Sequence, residues 1–338
     1  MTKRTTIAEV ARDAGVSLPT VSRVLNNRPD VSPQTRQRVQ EVISRLGFQP
    51  SAVARSLDAR CTHTVAFTTF RFEKRGLLSD PYFAGVMSGI VDTLTPLGIF
   101  VMVYPVLGSE EATTAFRAFL QSGRVDGLIL HNAQIDDPLL SMILDAKTPC
   151  VALQHDKPVH ERAVTVNVDG SGFRLLVDYL VGKGHRTIGL IHGDLREHFA
   201  SAAVESFRLA MQKHGLPVRE DWIQGGRWYE EGGAEGMQRI LNAPDRPTAV
   251  MVNTDLMAIG AMGVIQASGL RVPEDIAITG YNDDPYAKHL RPALTTLHYA
   301  FGELGSVAAR RLMALIDDQP DAVRNATVPV ELIVRSSA

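Results

Sequence analysis

The feature that most constrains this chain is a run of helix start and stop signals within its first sixty residues. Thr6 and Glu9 read as a capping box: the threonine oxygen takes the amide three residues on, and the glutamate reaches back. Ile7, Val10, Ala11 and Ala14 then recur at one-turn spacing, which predicts one buried helix face. Gly15 stands where that helix must turn sharply, since glycine enters the left-handed region without steric cost. Ser17 caps a second helix with Val21, Val24 and Leu25 on its inner face. Ser32 caps a third, Pro33 takes its tolerant first position, and Val39, Val42, Ile43 and Leu46 face inward before Gly47 ends it. Two helices joined by a tight glycine turn and braced by a third form an all-α helix-turn-helix headpiece.

Such a headpiece places the start of its second helix against base edges in the major groove. Here that end carries Ser17, Leu18, Pro19 and Thr20, with Ser22, Arg23 and Asn26 further along the outward face. Arg23 can offer two parallel N–H bonds to guanine O6 and N7, the commonest specific contact. Leu18 and Pro19 have no side-chain donor and suit a thymine methyl. Thr6, Thr20, Ser22 and Asn26 suit phosphate oxygens, which fix register rather than sequence. Charge supports this reading. The net charge of −2 divides into about +5 over residues 1–60, with ten Lys and Arg against five Asp and Glu, and about −7 over the rest. A basic head on an acidic body keeps the attraction to phosphate local.

The chain as a whole is 45% hydrophobic, and the residues after 60 alternate short apolar strands with helical stretches. Runs such as THTVAFTTF, VDGLILHN, TIGLIHG, TAVMVN and IAITGY predict parallel sheets covered on both faces. Two such sets, divided near residue 162, predict two similar lobes. Ligands of open α/β sheets sit beyond the carboxyl ends of the strands, so the cleft between lobes is the expected site. Sugar sites pair an aromatic platform with polar groups, and Trp228 follows a glycine pair, while Gln154, Asp255, Asn282 and Asp283 stand at strand ends.

Several classes are excluded. There is no GxxxxGK[ST] or GxGxxG phosphate cradle, no HExxH and no GxSxG, so an enzyme carrying a DNA-binding head is disfavoured. Cys61 and Cys150 form no ligand spacing and no disulfide framework, and neither metal nor cofactor is expected. No run approaches the ~18 apolar residues of a membrane span, and MTKRTTIAEV lacks an apolar leader core, so a cytoplasmic protein is expected.

The chain resembles the lactose-repressor (LacI/GalR) family of bacterial transcription regulators from Thr6 to about Arg335. The likeness is densest in TVSRVLNN (Thr20 to Asn27), PSAVARSL (Pro50 to Leu57) and GYNDDPYAKHLRPALTT (Gly280 to Thr296). It implies a periplasmic-binding-protein-like α/β core of two lobes with parallel sheets behind the headpiece. The implied domains are 1–48 for the headpiece, 49–60 for a hinge helix, and 61–338 for an effector-binding and dimerisation core. Lobe 1 would hold about 61–162 and 292–325, and lobe 2 about 163–291 and 326–338, with crossings near Arg162, Arg291 and Asn325.

By the same resemblance, PSAVARSL folds only on operator DNA, with Leu57 wedged into the minor groove and Ala54 allowing close approach. Trp228 matches the family's stacking residue, Gln154, Asp255 and Asn282 its polar ligand contacts, and Tyr82 and Phe83 aromatics of the first lobe. The chain departs from the family at Thr254, where asparagine is common; at Asn282, where an acid is common; and at Ser201, in the place of a ligand-clamping arginine. The loop Arg71 to Phe83 is longer and more basic than usual; it either adds Arg71 or Lys74 to the site or is a solvated flap, the reading favoured here. The implied partners are a pseudo-palindromic double-stranded operator, a second copy of the chain and a small sugar, with a nucleobase or phosphorylated metabolite as alternatives. A repressor of carbohydrate-utilisation genes is the expectation. The ending at VPVELIVR, without an apolar heptad tail, suggests a dimer rather than a tetramer.

Overall fold

The computed structural model describes residues 5–25, 28–48, 61–70, 80–106, 109–131, 133, 138–155, 163–319 and 325–338. The expected hinge helix, with Ala54 and Leu57, lies outside the described residues, as do Asn26 and most of the Arg71 to Phe83 loop. The chain divides into two units, residues 1–63 and 64–338.

The first unit contains α1 (Ile7–Ala14), α2 (Leu18–Leu25) and α3 (Pro33–Leu46). The capping box forms: Glu9 N donates to Thr6 Oγ1 at 3.3 Å, and Thr6 N to Glu9 Oε2 at 2.8 Å. Gly15 ends α1 at φ 64° and Gly47 ends α3 at φ 58°. Ser17 Oγ accepts from Thr20 N, and Ser32 Oγ from Thr35 N, each at 3.3 Å. Val10, Ala11, Ala14, Val21, Val24, Val39, Val42 and Phe48 close a small core, with Ile7, Leu25, Ile43 and Leu46 partly buried around it. Arg45 bridges to Asp13 at 3.1 Å, pinning the end of α3 to that of α1.

The second unit begins with β1 (Thr64–Phe70), α4 (Pro81–Leu94), β2 (Phe100–Val106), α5 (Glu110–Gln121) and β3 (Gly127–His131). It continues with α6 (Pro138–Ala146), β4 (Cys150–Leu153), β5 (Ala163–Val168) and α7 (Ser171–Gly182). Then come β6 (Ile188–His192), α8 (His198–Lys213), β7 (Ile223–Gly225), α9 (Glu230–Leu241), β8 (Ala249–Val252) and α10 (Asp255–Ala267). The closing elements are β9 (Ala277–Thr279), β10 (Thr296–His298), α11 (Phe301–Ile316), β11 (Ala326–Val328) and β12 (Glu331–Ile333). Lobe 1 is built on a parallel sheet ordered β11-β5-β4-β3-β1-β2, and lobe 2 on a parallel sheet ordered β7-β6-β8-β9. β10 and β12 pair antiparallel as a separate ribbon. The central strands β4, β6 and β8 are buried at every position, as a sheet covered on both faces requires. In lobe 1, α4 and α11 approach through glycine: a Cβ on Gly89 would sit 1.9 Å from Gly302 O.

The crossings between lobes fall later than the sequence reading places them. β5 pairs with β4 and β11, so residues 163–168 belong to lobe 1, and the chain leaves it through the turn at Asp169, whose Oδ1 accepts from Ser171 N at 2.9 Å. The return runs between β10 and α11 rather than near Arg291, because Thr295 and His298 still bridge to Thr279 and Asn282 of lobe 2. The last crossing separates β11, in lobe 1, from β12, which rejoins β10. The reason is common to all three: short β-runs in the crossing segments complete one sheet before the chain departs.

Candidate functional site

On the headpiece, Ser17, Leu18, Pro19 and Arg23 are exposed and Thr20 and Ser22 half-buried, so the start of α2 offers its side chains to solvent. Leu18 is 48% exposed, unusual for a leucine so close to a core. Ser17 Oγ and Thr20 Oγ1 lie 2.8 Å apart and share a hydrogen bond. Thr6 is exposed but committed to its capping box. The Arg23 guanidinium stands 3.6 Å from Asp30 with both side chains more than half exposed, an ion pair that solvent screening keeps weak.

In the second unit, a cavity of about 320 Å³ opens between the lobes. Lobe 1 contributes Gln154 beyond β4, Asn167 and Asp169 around the end of β5, and Thr327 of β11; lobe 2 contributes Phe173, His198, Phe199 and Tyr281. Both sets sit at or beyond strand ends or on the first turns of helices, as expected of open sheets. The Tyr281 ring stacks on Phe173 with centroids 5.0 Å apart and meets Phe199 edge-on at 5.3 Å. His155 and His198 face each other from the two lobes at 6.2 Å. Asn167 Nδ2 donates to His155 O at 3.2 Å.

Of the residues expected to bind ligand, Gln154 lies on this wall, at φ 52°, and its Nε2 donates to Tyr82 Oη at 2.9 Å. Burial drives the Tyr82 hydroxyl well above the ordinary tyrosine range, with the Gln154 bond opposing it. Phe83 points the other way. It is 2% exposed and packs edge-on against Phe67 at 5.0 Å, because adjacent helical residues are rotated by ~100° and only one of the two can face the cleft. Phe83 is a core residue.

Trp228 does not line this cavity. It stands behind Phe199 with centroids 6.1 Å apart, held at φ 66°, and its indole covers Gly193 so closely that a Cβ there would come within 2.0 Å. Asp255 is fully buried. Its Oδ1 accepts from Thr296 Oγ1 at 2.6 Å and its Oδ2 from Asp284 N at 2.8 Å, so the carboxylate expected to meet ligand holds the protein's own loop instead. Burial lifts Asp255 to about 6, against the pull of those two bonds. Thr254 caps α10 by accepting from Met257 N at 3.1 Å, and Ser201 donates to His198 O at 3.0 Å within its own helix. Asn282, at φ 124°, accepts from Tyr299 Oη at 3.3 Å, and neighbouring Asp283 binds Arg335 at 2.5 Å.

Sequence reasoning does not single out Asn167, Phe173 or Phe199. Asn167 sits in β5, whose Thr165 and Asn167 keep it from reading as a continuous apolar run, and Phe173 and Phe199 stand at helix starts where nothing local separates a site aromatic from a core one. His131, at the end of β3, was also passed over. Its Nδ1 lies 3.1 Å from Thr69 Oγ1, its ring packs against Phe67 and Tyr82, and burial pushes it down to about 4. It is a neutral imidazole at neutral pH.

Several buried polar atoms around the cleft have no hydrogen-bond partner: Gln154 Oε1, Asn167 Oδ1, Tyr281 Oη and both amide atoms of Asn253. Native interiors rarely leave such groups unpaired unless water or a ligand completes them. Glu197, immediately before α8, is half-buried. Burial lifts its carboxyl to about 8, opposed by the Trp228 indole N–H, which lies beside it but outside hydrogen-bond geometry. Among the described residues, no group of acids, histidines or cysteines could hold a metal ion, and no helix is long and apolar enough to cross a membrane.

A cleft-bearing two-lobed core following a helix-turn-helix headpiece matches known proteins over nearly the whole chain. Residues 6–51 match the bacterial regulatory proteins of the lacI family, and residues 177–338 the periplasmic binding protein-like domain. The HTH-type transcriptional repressor PurR of Erwinia tasmaniensis is 34% identical over 335 residues, covering 98% of this chain and 96% of that protein. The chain belongs to the lacI family. PurR of Proteus mirabilis is 33% identical over the same shares. Among solved structures, the Lac repressor dimer bound to operator and the anti-inducer ONPF superposes with a TM-score of 0.82 at 30% identity, covering 99% of each chain. The CelR–cellobiose complex matches with a TM-score of 0.77 at 31% identity, over 99% of this chain and 100% of the other. This lacI-family member is accordingly a DNA-binding transcriptional repressor with an effector-binding core, and not an enzyme.

Proposed function

We propose that the chain is a cytoplasmic, homodimeric repressor of carbohydrate-utilisation genes whose hold on a pseudo-palindromic operator is set by a small sugar between its lobes. The observation that carries the effector reading is the set of unpartnered polar atoms, Gln154 Oε1, Asn167 Oδ1 and Tyr281 Oη, around a cavity with aromatic walls. A sugar offers hydroxyls to such atoms and an apolar ring face to Phe199 or Phe173. The likeness to the CelR–cellobiose complex over the whole chain supports the same choice. Tyr82 supports Gln154 from behind, while Trp228 acts through Phe199, and Asp255, Thr254 and Asn282 act by shaping the loop beside the cleft.

A homodimer is supported by the apolar surface of lobe 1. Phe100, on the edge strand β2, is 70% exposed, with Met102, Val103, Leu97 and Val91 also exposed near it. An uncovered edge strand with large apolar side chains is a liability unless a partner covers it. Two headpieces on a two-fold axis would then read the half-sites through Leu18, Pro19, Thr20, Ser22, Arg23 and Asn26. Ser17 and Thr6 would support phosphate contacts, while Ala54 and Leu57 would enter the minor groove. Ligand-driven change in the angle between lobes would couple to release of DNA.

A nucleobase is the second reading, favoured by the carboxamides of Gln154 and Asn167, whose paired donor and acceptor match the edge of a base. Thermal-shift screening of the purified dimer against sugars and nucleobases, followed by operator release measured with the hits, separates the two. Stabilisation and release by a sugar supports the proposal, and a response confined to nucleobases overturns it.

A further inference from the structure

The lobe 1 wall of the cavity carries a matched pair of polar side chains. Thr327 of β11 is the register partner of Asn167 of β5, and both residues line the cavity. Partners on adjacent parallel strands place their side chains on one face of the sheet, ~4.8 Å apart. Each of the two stands one residue before the end of its strand. The Asn167 carboxamide has a fixed sense. Its Nδ2 donates to His155 O at 3.2 Å, and a backbone carbonyl only accepts, so the amide cannot be turned round. Oδ1 is the half left over, and it is buried without a hydrogen-bond partner. Thr327 is exposed, and its hydroxyl can donate or accept.

A buried carbonyl oxygen without a donor is costly, and a ligand O–H placed against it removes that cost. The strand spacing then decides which hydroxyls fit the pair. Hydroxyls on neighbouring carbons of a sugar ring lie closer together than two strands do. Equatorial hydroxyls on alternate carbons match the strand spacing. We propose, resting on the effector reading above, that Asn167 and Thr327 are the specificity-determining pair of the cavity. Asn167 Oδ1 accepts from one ring hydroxyl, and the Thr327 hydroxyl bonds the one on the next carbon but one. A ring whose group at the first position cannot donate is rejected. Asp169 N donates to Val328 O at 2.9 Å, so the two strands end side by side where the chain leaves lobe 1. A ring held by Asn167 and Thr327 therefore braces both departures at once.

The test uses the full-length protein with glucose, mannose, galactose and xylose, then the monodeoxy and monodeoxyfluoro forms of each sugar that binds. Fluorine removes the donor and leaves the ring otherwise intact. In calorimetric titration, fluorine at one carbon should weaken binding to wild type about tenfold and cost nothing further in Asn167→Leu. Thr327→Val is isosteric at an exposed position, so it keeps the test readable where Asn167→Leu fails to fold. It should lose the penalty for removing the hydroxyl on the alternate carbon and retain the fluorine penalty at the first. A fluorine penalty undiminished in Asn167→Leu overturns the inference and leaves the carbohydrate effector standing. So does a Thr327→Val protein that discriminates the deoxy forms as wild type does, or a pair of sensitive carbons that are neighbours. Failure of every sugar to bind overturns the carbohydrate reading and this inference with it.

Discussion

Asp255 accepts the backbone N–H of Asp284 at 2.8 Å, so the acid that opens α10 fixes the loop beyond β9. Its second oxygen takes the Thr296 hydroxyl, and neither residue touches solvent. One carboxylate therefore joins a helix start, a strand end and the β10 ribbon beside the cleft.

Replacing Asp255 by alanine orphans a buried N–H and a buried hydroxyl, at about 1–3 kcal/mol each. The core should lose about 2–5 kcal/mol in urea unfolding. Thr296→Val should recover part of that loss in the double variant, since it removes the stranded hydroxyl. An Asp255→Ala protein with a wild-type midpoint would mean that these bonds contribute nothing.

Phe199 forms the cavity wall and Trp228 backs it. Phe199→Ala should weaken binding of the best sugar from the screen by about tenfold or more, whereas Trp228→Phe, which keeps an apolar ring behind the wall, should cost less. The opposite order in calorimetric titration would return Trp228 to the stacking role its sequence position suggests.

Gly193 is the residue the Trp228 indole requires, since a Cβ would lie within 2.0 Å of its ring. Gly193→Ala should displace the indole and cost about 1–3 kcal/mol. The chain has two tryptophans, and Trp222 is held by a bond to Asp245 O, so a shift in tryptophan emission reports Trp228. An unchanged spectrum and midpoint would rule out the close approach.

The headpiece was legible because its signals are local. Thr6, Gly15, Ser32 and Gly47 act within a turn of their own positions and behave as their residue types require. The strand runs of the core were legible for a similar reason, being apolar on both faces. The lobe boundaries were not, since the membership of AVTVNV depends on its pairing with β4 and β11, far away in the chain. The cleft was harder still. Asp255 and Gln154 look alike as polar residues at strand ends, and only the fold decides that one is enclosed by Thr296 and Asp284 while the other reaches the cavity. Tyr82 and Phe83 were separated by helix phase, which the sequence contains but which needs the orientation of α4 to interpret.

Arg23 projects from α2 and is more than half exposed, with Asp30, also exposed, 3.6 Å from its guanidinium. Arg23→Ala should weaken specific operator binding by about 1–3 kcal/mol and relax preference at one base pair, leaving non-specific binding nearly unchanged. Gel-shift titrations against single-base-pair operator variants read both quantities. Equal losses on every sequence would make Arg23 a phosphate contact instead.

Asp284 is 2% exposed, and one of its oxygens accepts from Tyr286 Oη at 3.0 Å while the other has no partner. Burial, then the charges of Asp255, Asp80 and Asp283, lift it from the ordinary 3.8 to about 8. Because the folded value lies above the unfolded one, the native state holds a proton that the unfolded chain has released. Its contribution to stability is full below 3.8 and is lost as pH rises through about 8. Asp284→Asn keeps an acceptor for Tyr286 and removes the titration. The variant should therefore gain on wild type as pH rises from about 5 to about 9, with little further change above that. Urea midpoints of both proteins across that range measure the difference directly. A gap that stays flat, or narrows with rising pH, would show that Asp284 ionises in the folded protein as readily as in the unfolded one.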